Sequence, residues 1–290
     1  MRIRPVYTIN AALLAVLGAL FMFPLILTFT NSFMTEAEIA LHYNTQLSLF
    51  DIMKGLAQRF VDMQLAPDQV SISPYQEILF FQPSFLALLA NSLKLTLPVV
   101  LGNGLVSLLS AFGFTLWRQR YKEILFMVYV IVMLMPLQAV IVSNYIIADR
   151  LQIKDSYLAI ILPGIFAPFG TFLLRQSMKA MPPEYFEAAA VDGAGLWAIF
   201  IRIVAPQMKA GLAALCMLVF IEYWNLVEQP IIFIKDYYRE PLSVYLSRLA
   251  DGKVALVFAA SCIYMLLPLW LLAVGQKPLE QGIELSGIKS

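Results

Sequence analysis

The run AALLAVLGALFMFPLILTF (Ala11–Phe29) decides the fold class, because it is a long apolar block without a single charged residue. A helix needs about 20 predominantly apolar residues to cross the hydrocarbon core of a bilayer. Similar blocks recur along the chain, which is 60% hydrophobic and only 13% charged, whereas soluble domains carry about 25% charged residues. The sequence therefore predicts an all-α integral membrane protein.

The first block follows Arg2 and Arg4, so a cleaved signal peptide is the alternative to a retained membrane span. The block is longer than a usual signal core and no small-x-small cleavage site follows it, which favours a retained span. About six spans are predicted, and they cover residues 7–31, 84–116, 124–147, 157–178, 210–234 and 254–275.

The spans divide the chain into three predicted parts. Residues 1–83 hold the first span and an extracytoplasmic loop, and residues 84–275 form the transmembrane core. Within that core, residues 179–209 form a loop between spans four and five, and residues 276–290 form a cytoplasmic tail.

The distribution of Lys and Arg predicts the orientation. With the N-terminus inside, the inner segments carry eleven Lys and Arg residues and the outer loops carry eight. Positive residues are enriched on the cytoplasmic side of membrane proteins. This asymmetry predicts that both termini and the 179–209 loop lie in the cytoplasm.

The loop contains PEYFEAAAVDGAGLWAIFIRIVAP (Pro183–Pro206), a polar and small-residue passage in an apolar chain. Pro183 suits the first turn of a helix, and Glu184 and Glu187 are favoured there by the helix dipole. Three alanines follow, and the glycines of DGAG (192–195) then break the helix. The pattern predicts a slim helix–turn–helix, which is either a docking element or an ordinary solvated loop.

A family resemblance covers most of the chain from about Phe85 onward. EAAAVDGAG followed by IVAP resembles the signature of permease subunits of binding-protein-dependent ABC importers, although Ala205 replaces the usual Leu. The passage from Met133 to Ala194, with NSL at 91–93 and EYWN at 222–225, resembles the carbohydrate-uptake permeases of the maltose-type class. The ending Gly287–Lys289 follows the family only in part.

The resemblance implies that the loop holds a coupling helix that docks into a separate ATPase, with Glu187 as contact and Gly193 as hinge. The residues implied in coupling are Glu187, Ala188, Ala189, Asp192, Gly193 and Pro206. It also implies an ABC ATPase dimer, a second permease that is similar but not identical, and an extracytoplasmic solute-binding protein. The expected location is a prokaryotic inner membrane, with the lipid bilayer as surroundings and no nucleic acid as partner.

Missing motifs agree with a non-catalytic subunit. The chain has no G-x-x-x-x-G-K-[ST] phosphate loop, so ATP and Mg²⁺ would belong to the partner ATPase and this chain would hold no cofactor. It also lacks G-x-S-x-G and H-E-x-x-H motifs. The lone His42 and the isolated Cys216 and Cys262 have no metal-ligand spacing, so no metal site is expected.

Polar residues inside the spans are candidates for a solute path, because ionisable groups are costly there and default to functional roles. Glu222, Asn225 and Gln229 are spaced as one helical face of span five. Pairing with a neighbouring helix, or simple packing, is the alternative. The candidate path residues are Glu222, Tyr223, Asn225, Gln229, Gln138 and Asn144.

The leading hypothesis is the permease subunit of an ATP-driven importer, for a sugar or oligosaccharide, that works by alternating access. An ABC permease for a polyamine, phosphate or peptide shares the loop signature. An ATP-independent carrier or channel is the alternative from another class, and a membrane enzyme is the weakest.

Overall fold

The structure is a computed structural model that describes residues 5–43, 64–116, 119–249 and 254–286. These residues are mainly helical and contain no β-strand. The helices of eight or more residues are α1 Pro5–Asn31, α2 Glu36–Tyr43, α3 Pro83–Leu116, α4 Lys122–Met133, α5 Leu137–Arg150, α6 Leu158–Ile165, α7 Pro168–Lys179, α8 Glu184–Val191, α9 Lys209–Trp224, α10 Leu242–Leu249 and α11 Val254–Ser286. Arg2, Arg4 and the ending Gly287–Lys289 lie outside the described residues.

Membrane-spanning helices dominate the chain. Four are long and apolar enough to cross a bilayer, and they cover Asn10–Asn31, Ser84–Leu116, Leu158–Lys179 and Val254–Lys277. Two bent helix pairs raise the number to six when each pair is taken as one span. The predicted all-α membrane fold with about six spans is confirmed.

The third span is not the straight helix that residues 124–147 predict. The axes of α4 and α5 differ by 98°. Pro136 lies at the break with φ −66° and ψ 146°, an extended conformation that ends the first helix. Because proline has no N–H to donate to the preceding turn, the α4 helix cannot continue through this position.

The fifth span is also shorter than the predicted 210–234. α9 has 16 residues, which at about 1.5 Å per residue is roughly 24 Å. The chain leaves helical geometry after Trp224 and forms a separate short helix at Glu228–Phe233. At the other end, α9 is bent by 70° from the helical segment Leu196–Gln207.

The described residues form two compact units, and the first comprises those that lie within 5–86 and 245–266. Met34 and Ile39 pack against Ala255 in a small apolar core. The Ser32 and Tyr75 hydroxyls lie 2.7 Å apart and share a hydrogen bond. Burial raises the pKa of Tyr75 to about 12, because the ionised phenolate is less favourable away from water.

The second unit comprises the described residues within 87–244 and 267–286. In its core, one polar side chain donates hydrogen bonds at the break between α6 and α7. Asn103 of α3 donates to the carbonyl oxygens of Gly164, Ile165 and Ala167, at 3.0, 3.3 and 3.3 Å. These carbonyls lie where the fourth span is interrupted, and the amide adds hydrogen bonds there to the one that the Ala167 N–H donates to Gly164 O at 3.2 Å. Asn103, Ser107 and Ala111, which recur every four residues along α3, are all buried.

Hydrogen bonds join the connection at residues 151–157 to residues 233–239 of the same unit. The Asp155 N–H donates to Phe233 O at 3.0 Å, and the Asp155 carboxylate accepts from the Lys235 N–H at 2.8 Å. The Tyr157 hydroxyl donates to Arg239 O at 2.9 Å. Hydrogen bonding by the Lys235 N–H lowers the pKa of Asp155, which itself adopts φ +60°.

Candidate functional site

The interhelical segment, defined here as residues 180–208, connects α7 to α9 and begins with a helix whose start the sequence dictates. α8 follows Pro183, and the N–H groups of Phe186 and Glu187 donate to Pro183 O at 3.0 and 3.1 Å. Glu184 and Glu187 lie in its first turn, where carboxylates oppose the positive end of the helix dipole. The predicted helix start is therefore present in the structure.

α8 ends in a Schellman motif that the DGA sequence makes possible. The Gly193 N–H donates to Ala190 O at 3.1 Å, and the Ala194 N–H donates to Ala189 O at 2.9 Å. This pair of hydrogen bonds requires a left-handed residue at the first position after the cap. Gly193 fills that position with φ +73°, so the sharp turn needs glycine at this residue.

The rest of the segment is a helical stretch, Leu196–Gln207, that presents apolar residues on two sides. Ile199, Phe200 and Val204 are buried, and the Phe200 ring lies 5.1 Å from the Phe112 ring of α3. Leu196, Trp197 and Ile201 are exposed. The stretch is thus anchored on α3 along one side and leaves an apolar side uncovered by the described residues.

A groove of about 570 Å³ runs beside α8. The residues that line it are Pro182, Glu184, Tyr185, Ala188, Ala189, Asp192 and Ile203. The alanines keep its wall shallow, and Glu184 and Asp192 supply two carboxylates. Such a concave surface, with small side chains and acidic groups, fits a protruding side chain or short helix of another protein.

The structure divides the six predicted coupling residues into two groups. Ala188, Ala189 and Asp192 line the groove. Glu187, Gly193 and Pro206 are exposed outside it. Their assignment to coupling stays a prediction.

The predicted path residues do not share one helical face. Tyr223 is buried on α9, close to Gly164, where any β-carbon would meet the tyrosine hydroxyl. Asn225 follows α9 as its cap and donates from Nδ2 to Ile221 O at 2.8 Å. Because the helix ends there, Gln229 lies in a separate short helix and the predicted i, i+7 alignment with Glu222 is wrong.

A different polar pair forms instead. Gln138 Nε2, in the first turn of α5, donates to Glu228 Oε2 at 3.2 Å. Glu222 is exposed on α9, and Asn144 is half-buried on α5. Sequence reasoning missed the Gln138–Glu228 contact, because the two residues are 90 positions apart and the bend at Pro136 sets the direction of α5.

Sequence reasoning also missed an ion pair at the start of α4. Arg175 Nη2 donates to Glu123 Oε1 at 2.6 Å, and the arginine side chain is 1% exposed. The signal was an arginine within the last turns of an apolar span, where a buried partner is expected. Among the described residues, no group of three or more His, Cys, Asp or Glu side chains is placed to hold a metal ion.

Comparison with known proteins identifies the family. Residues 103–276 match the family described as "Binding-protein-dependent transport system inner membrane component". This match covers more than half of the chain, and it includes α5, α8 and the whole interhelical segment.

Individual relatives are transport permeases. The chain is 31% identical over 162 residues to the lactose transport system permease protein of Rhizobium radiobacter, covering 56% of this chain and 59% of the relative. It is 35% identical over 152 residues to the sn-glycerol-3-phosphate transport system permease protein of Escherichia coli, covering 52% and 54%. The matched part thus spans little more than half the length of these two relatives.

A longer match and a solved structure extend the likeness. The sn-glycerol-3-phosphate permease of Pectobacterium atrosepticum is 30% identical over 201 residues, which are 68% of this chain and 72% of the relative. A chain from a bacterial ABC transporter involved in the import of the acidic polysaccharide alginate superposes with a TM-score of 0.77, at 21% identity, over 94% of this chain and 96% of that chain. The structural likeness shows the fold, and the sequence matches show the lineage. The chain belongs to the family of inner membrane components of binding-protein-dependent transport systems.

Proposed function

We propose that this chain is the transmembrane permease subunit of an ATP-driven ABC importer, with a sugar or oligosaccharide as solute. Family membership supports a transport role. The lactose permease relative and the fold shared with an alginate importer support a carbohydrate. The subunit forms part of a path that opens alternately to the two sides of the membrane.

The interhelical segment carries this proposal, as the surface that couples the permease to an ATPase dimer. The single observation behind it is the capped α8 beside an acid-containing groove of about 570 Å³. Glu187, Ala188, Ala189, Asp192, Gly193 and Pro206 form the coupling set. ATP and Mg²⁺ bind to the ATPase subunits, which perform the hydrolysis, because this sequence has no phosphate loop.

Two further partners complete the proposed complex. A second permease, similar to this chain but not identical, forms the other half of the path, and an extracytoplasmic solute-binding protein delivers the solute. A related alginate transporter is described in complex with a pentasaccharide-bound periplasmic protein. The chain lies in a prokaryotic inner membrane with both termini in the cytoplasm, an orientation that the Lys and Arg asymmetry supports.

The proposed solute path uses the polar residues of α5, α9 and the Glu228–Phe233 helix. The Gln138–Glu228 pair offers a carboxamide and a carboxylate within one hydrogen-bond length, a combination that suits hydroxyl groups. Glu222 and Asn144 are further candidates. Tyr223 and Asn225 are better explained by packing against Gly164 and by helix capping.

The test is reconstitution of the complete complex in proteoliposomes, followed by uptake measurements with a solute panel. The panel contains lactose, maltose, alginate oligosaccharide, glycerol 3-phosphate, phosphate, putrescine and a dipeptide. ATP-dependent uptake of a sugar, together with ATPase that is stimulated by the loaded binding protein, is the expected result. ATP-dependent uptake of only a non-sugar would support the alternative importer class.

A second arm separates the importer from an ATP-independent carrier or channel. Deleting residues 184–195 should remove the ATPase from the purified complex, because the deletion takes out α8 and its cap. Uptake that persists in the deletion variant and in the absence of ATP would refute the importer and favour the carrier.

A further inference from the structure

Arg175 is buried at the end of the helix that leads directly into the interhelical segment. It lies on α7, one turn before that helix ends at Lys179, and its side chain is 1% exposed. Only Ala180, Met181 and Pro182–Pro183 separate α7 from α8. The position of the last turn of α7 therefore sets where α8 begins.

The guanidinium group is held in an aromatic cage and pairs with one acid. Its carbon lies 3.8 Å from the Phe126 ring centroid and 5.8 Å from that of Phe114. Phe126 stacks on Phe172 of α7 with ring centroids 6.2 Å apart and an interplanar angle of 12°. Glu123, from the first turn of α4, accepts from Nη2 at 2.6 Å. Arginine suits this site, because its planar group stacks on rings while its edge binds a carboxylate.

The pair is asymmetric in its surroundings. The Glu123 side chain is 58% exposed, whereas Arg175 Nε and Nη1 are buried and have no hydrogen-bond partner among the described residues. Among the described residues, the Glu123 carboxylate is thus the only charged partner of the buried Arg175 side chain. Removing it is strongly unfavourable, because an unpaired charge would stay in a low-dielectric site.

The contacts also fix how α4 lies against α7. Glu123 meets Arg175, and six residues further along α4 the Tyr129 hydroxyl lies 3.4 Å from that of Thr171, four residues back along α7. The two helices therefore run antiparallel, with the ion pair at the end next to the interhelical segment. Of these two contacts, the ion pair is therefore the one nearer to α8 along the chain.

We propose that the Arg175–Glu123 pair is a positioning pair that joins the interhelical segment to the bent third span, so that α8 and α4 move together. The inference rests on the proposed function, in which α8 receives the movement of the ATPase. In that function, the Arg175–Glu123 pair is the place where the movement passes from the interhelical segment into a membrane span. The third span then carries it to Gln138 beyond the 98° bend.

Three variants separate positioning from mere support of the fold. Glu123→Gln leaves the buried charge without its charged partner, although the amide oxygen can still accept a hydrogen bond. The double variant Glu123→Gln/Arg175→Met removes both charges and keeps an apolar side chain in the cage, so its thermal unfolding midpoint should return to that of wild type. Asp149→Asn is the matched control, because it breaks the Lys154–Asp149 bridge, whose acid is 61% exposed and whose length is 2.8 Å.

The first readout needs no transport. Nitroxide labels at Ile124 and Tyr185, both exposed, report the distance between the start of α4 and α8 in the permease complex by pulsed electron resonance. The distance distribution should be at least 1.5 times wider in Glu123→Gln and in the double variant, and unchanged in Asp149→Asn. An unchanged distribution in the double variant would overturn the proposal.

The second readout is the amount of ATP hydrolysed per molecule taken up, measured with the panel sugar that gives the highest wild-type uptake. This ratio should rise at least threefold in Glu123→Gln and in the double variant. A double variant that regains both stability and the wild-type ratio would show a merely structural role. If wild type itself shows no ATP-dependent uptake, the proposed function fails, whereas the distance measurement still decides whether the pair positions α8.

Discussion

Replacing Gly193 by alanine should weaken ATPase binding, because this residue holds the turn that ends α8. Its φ of +73° is left-handed, and no atom lies within 4 Å of the position that a β-carbon would take. The expected effect is therefore conformational strain and not a steric clash. A left-handed conformation costs a residue other than glycine roughly 1–2 kcal/mol.

The matched control lies two residues away. Gly195 also has open space around its β-carbon position, but its φ of −69° and ψ of 160° are ordinary for any residue. Gly195→Ala should therefore add no left-handed strain, although alanine is a poorer N-cap than glycine for the helix that begins at Leu196. The two variants both add one methyl group in open space, and only Gly193→Ala places it on a left-handed residue.

The strain should appear as a change in the affinity of the permease for the ATPase. A cost of about 1–2 kcal/mol lowers the population of the capped segment relative to alternatives by roughly 5- to 30-fold. If the ATPase binds only the capped form, its apparent Kd rises by up to this factor. Titration of the permease complex in nanodiscs with purified ATPase subunit, followed by fluorescence, gives Kd for wild type and both variants. Equal Kd values for Gly193→Ala and Gly195→Ala would refute the reasoning.

Three other substitutions test an exposed acid of α8, a carboxylate that accepts from a backbone N–H, and a closely packed glycine. Glu187→Gln should change the free energy of unfolding by less than about 0.5 kcal/mol, because the side chain is exposed. It should raise the Kd for the ATPase more than about tenfold if it loses a charge-assisted hydrogen bond of about 1.5–3 kcal/mol; an unchanged Kd would limit Glu187 to starting the helix. Asp155 has its pKa lowered by the Lys235 N–H, so its stabilising contribution is present at neutral pH and is lost as the pH falls through the lowered pKa. Asp155→Asn tolerates the left-handed backbone and should flatten this acid-side fall of the thermal unfolding midpoint, whereas an identical fall in variant and wild type would contradict the assignment. Gly170→Ala would place a β-carbon 2.6 Å from Asn103 Oδ1 and should cost about 1–3 kcal/mol by overpacking. Gly113→Ala, with nothing within 4 Å, is the control, and equal thermal unfolding midpoints of the two variants would contradict the close packing.

The sequence predicted the helical membrane class and the details of α8, because both depend on local information. Apolar blocks of sufficient length imply spans, and the Pro183 start and the Gly193 stop of α8 are encoded within about ten residues. The structure adds the reason for the stop, a Schellman motif in which Gly193 is left-handed.

The directions of the spans were not predictable in the same way. A hydropathy block reports composition, and it is the same for a straight helix and for one bent by 98°. Pro136 stands within the block, but a proline in a span can be tolerated with a mild kink, as the continuous α1 around Pro24 shows. Contacts such as Gln138–Glu228 and Arg175–Glu123 join residues 90 and 52 positions apart. They follow from those directions and not from spacing along the chain.

The contact of Asn103 with the interrupted fourth span bears on how the protein is made. A span whose helical hydrogen bonding is interrupted is costly to leave in hydrocarbon by itself. The helix that supplies the amide, α3, is synthesised first, because Asn103 precedes Gly164 by 61 residues. We therefore expect α3 to assist the membrane insertion of the fourth span, so substitution of Asn103 by leucine should reduce the yield of inserted protein more than it alters the finished fold.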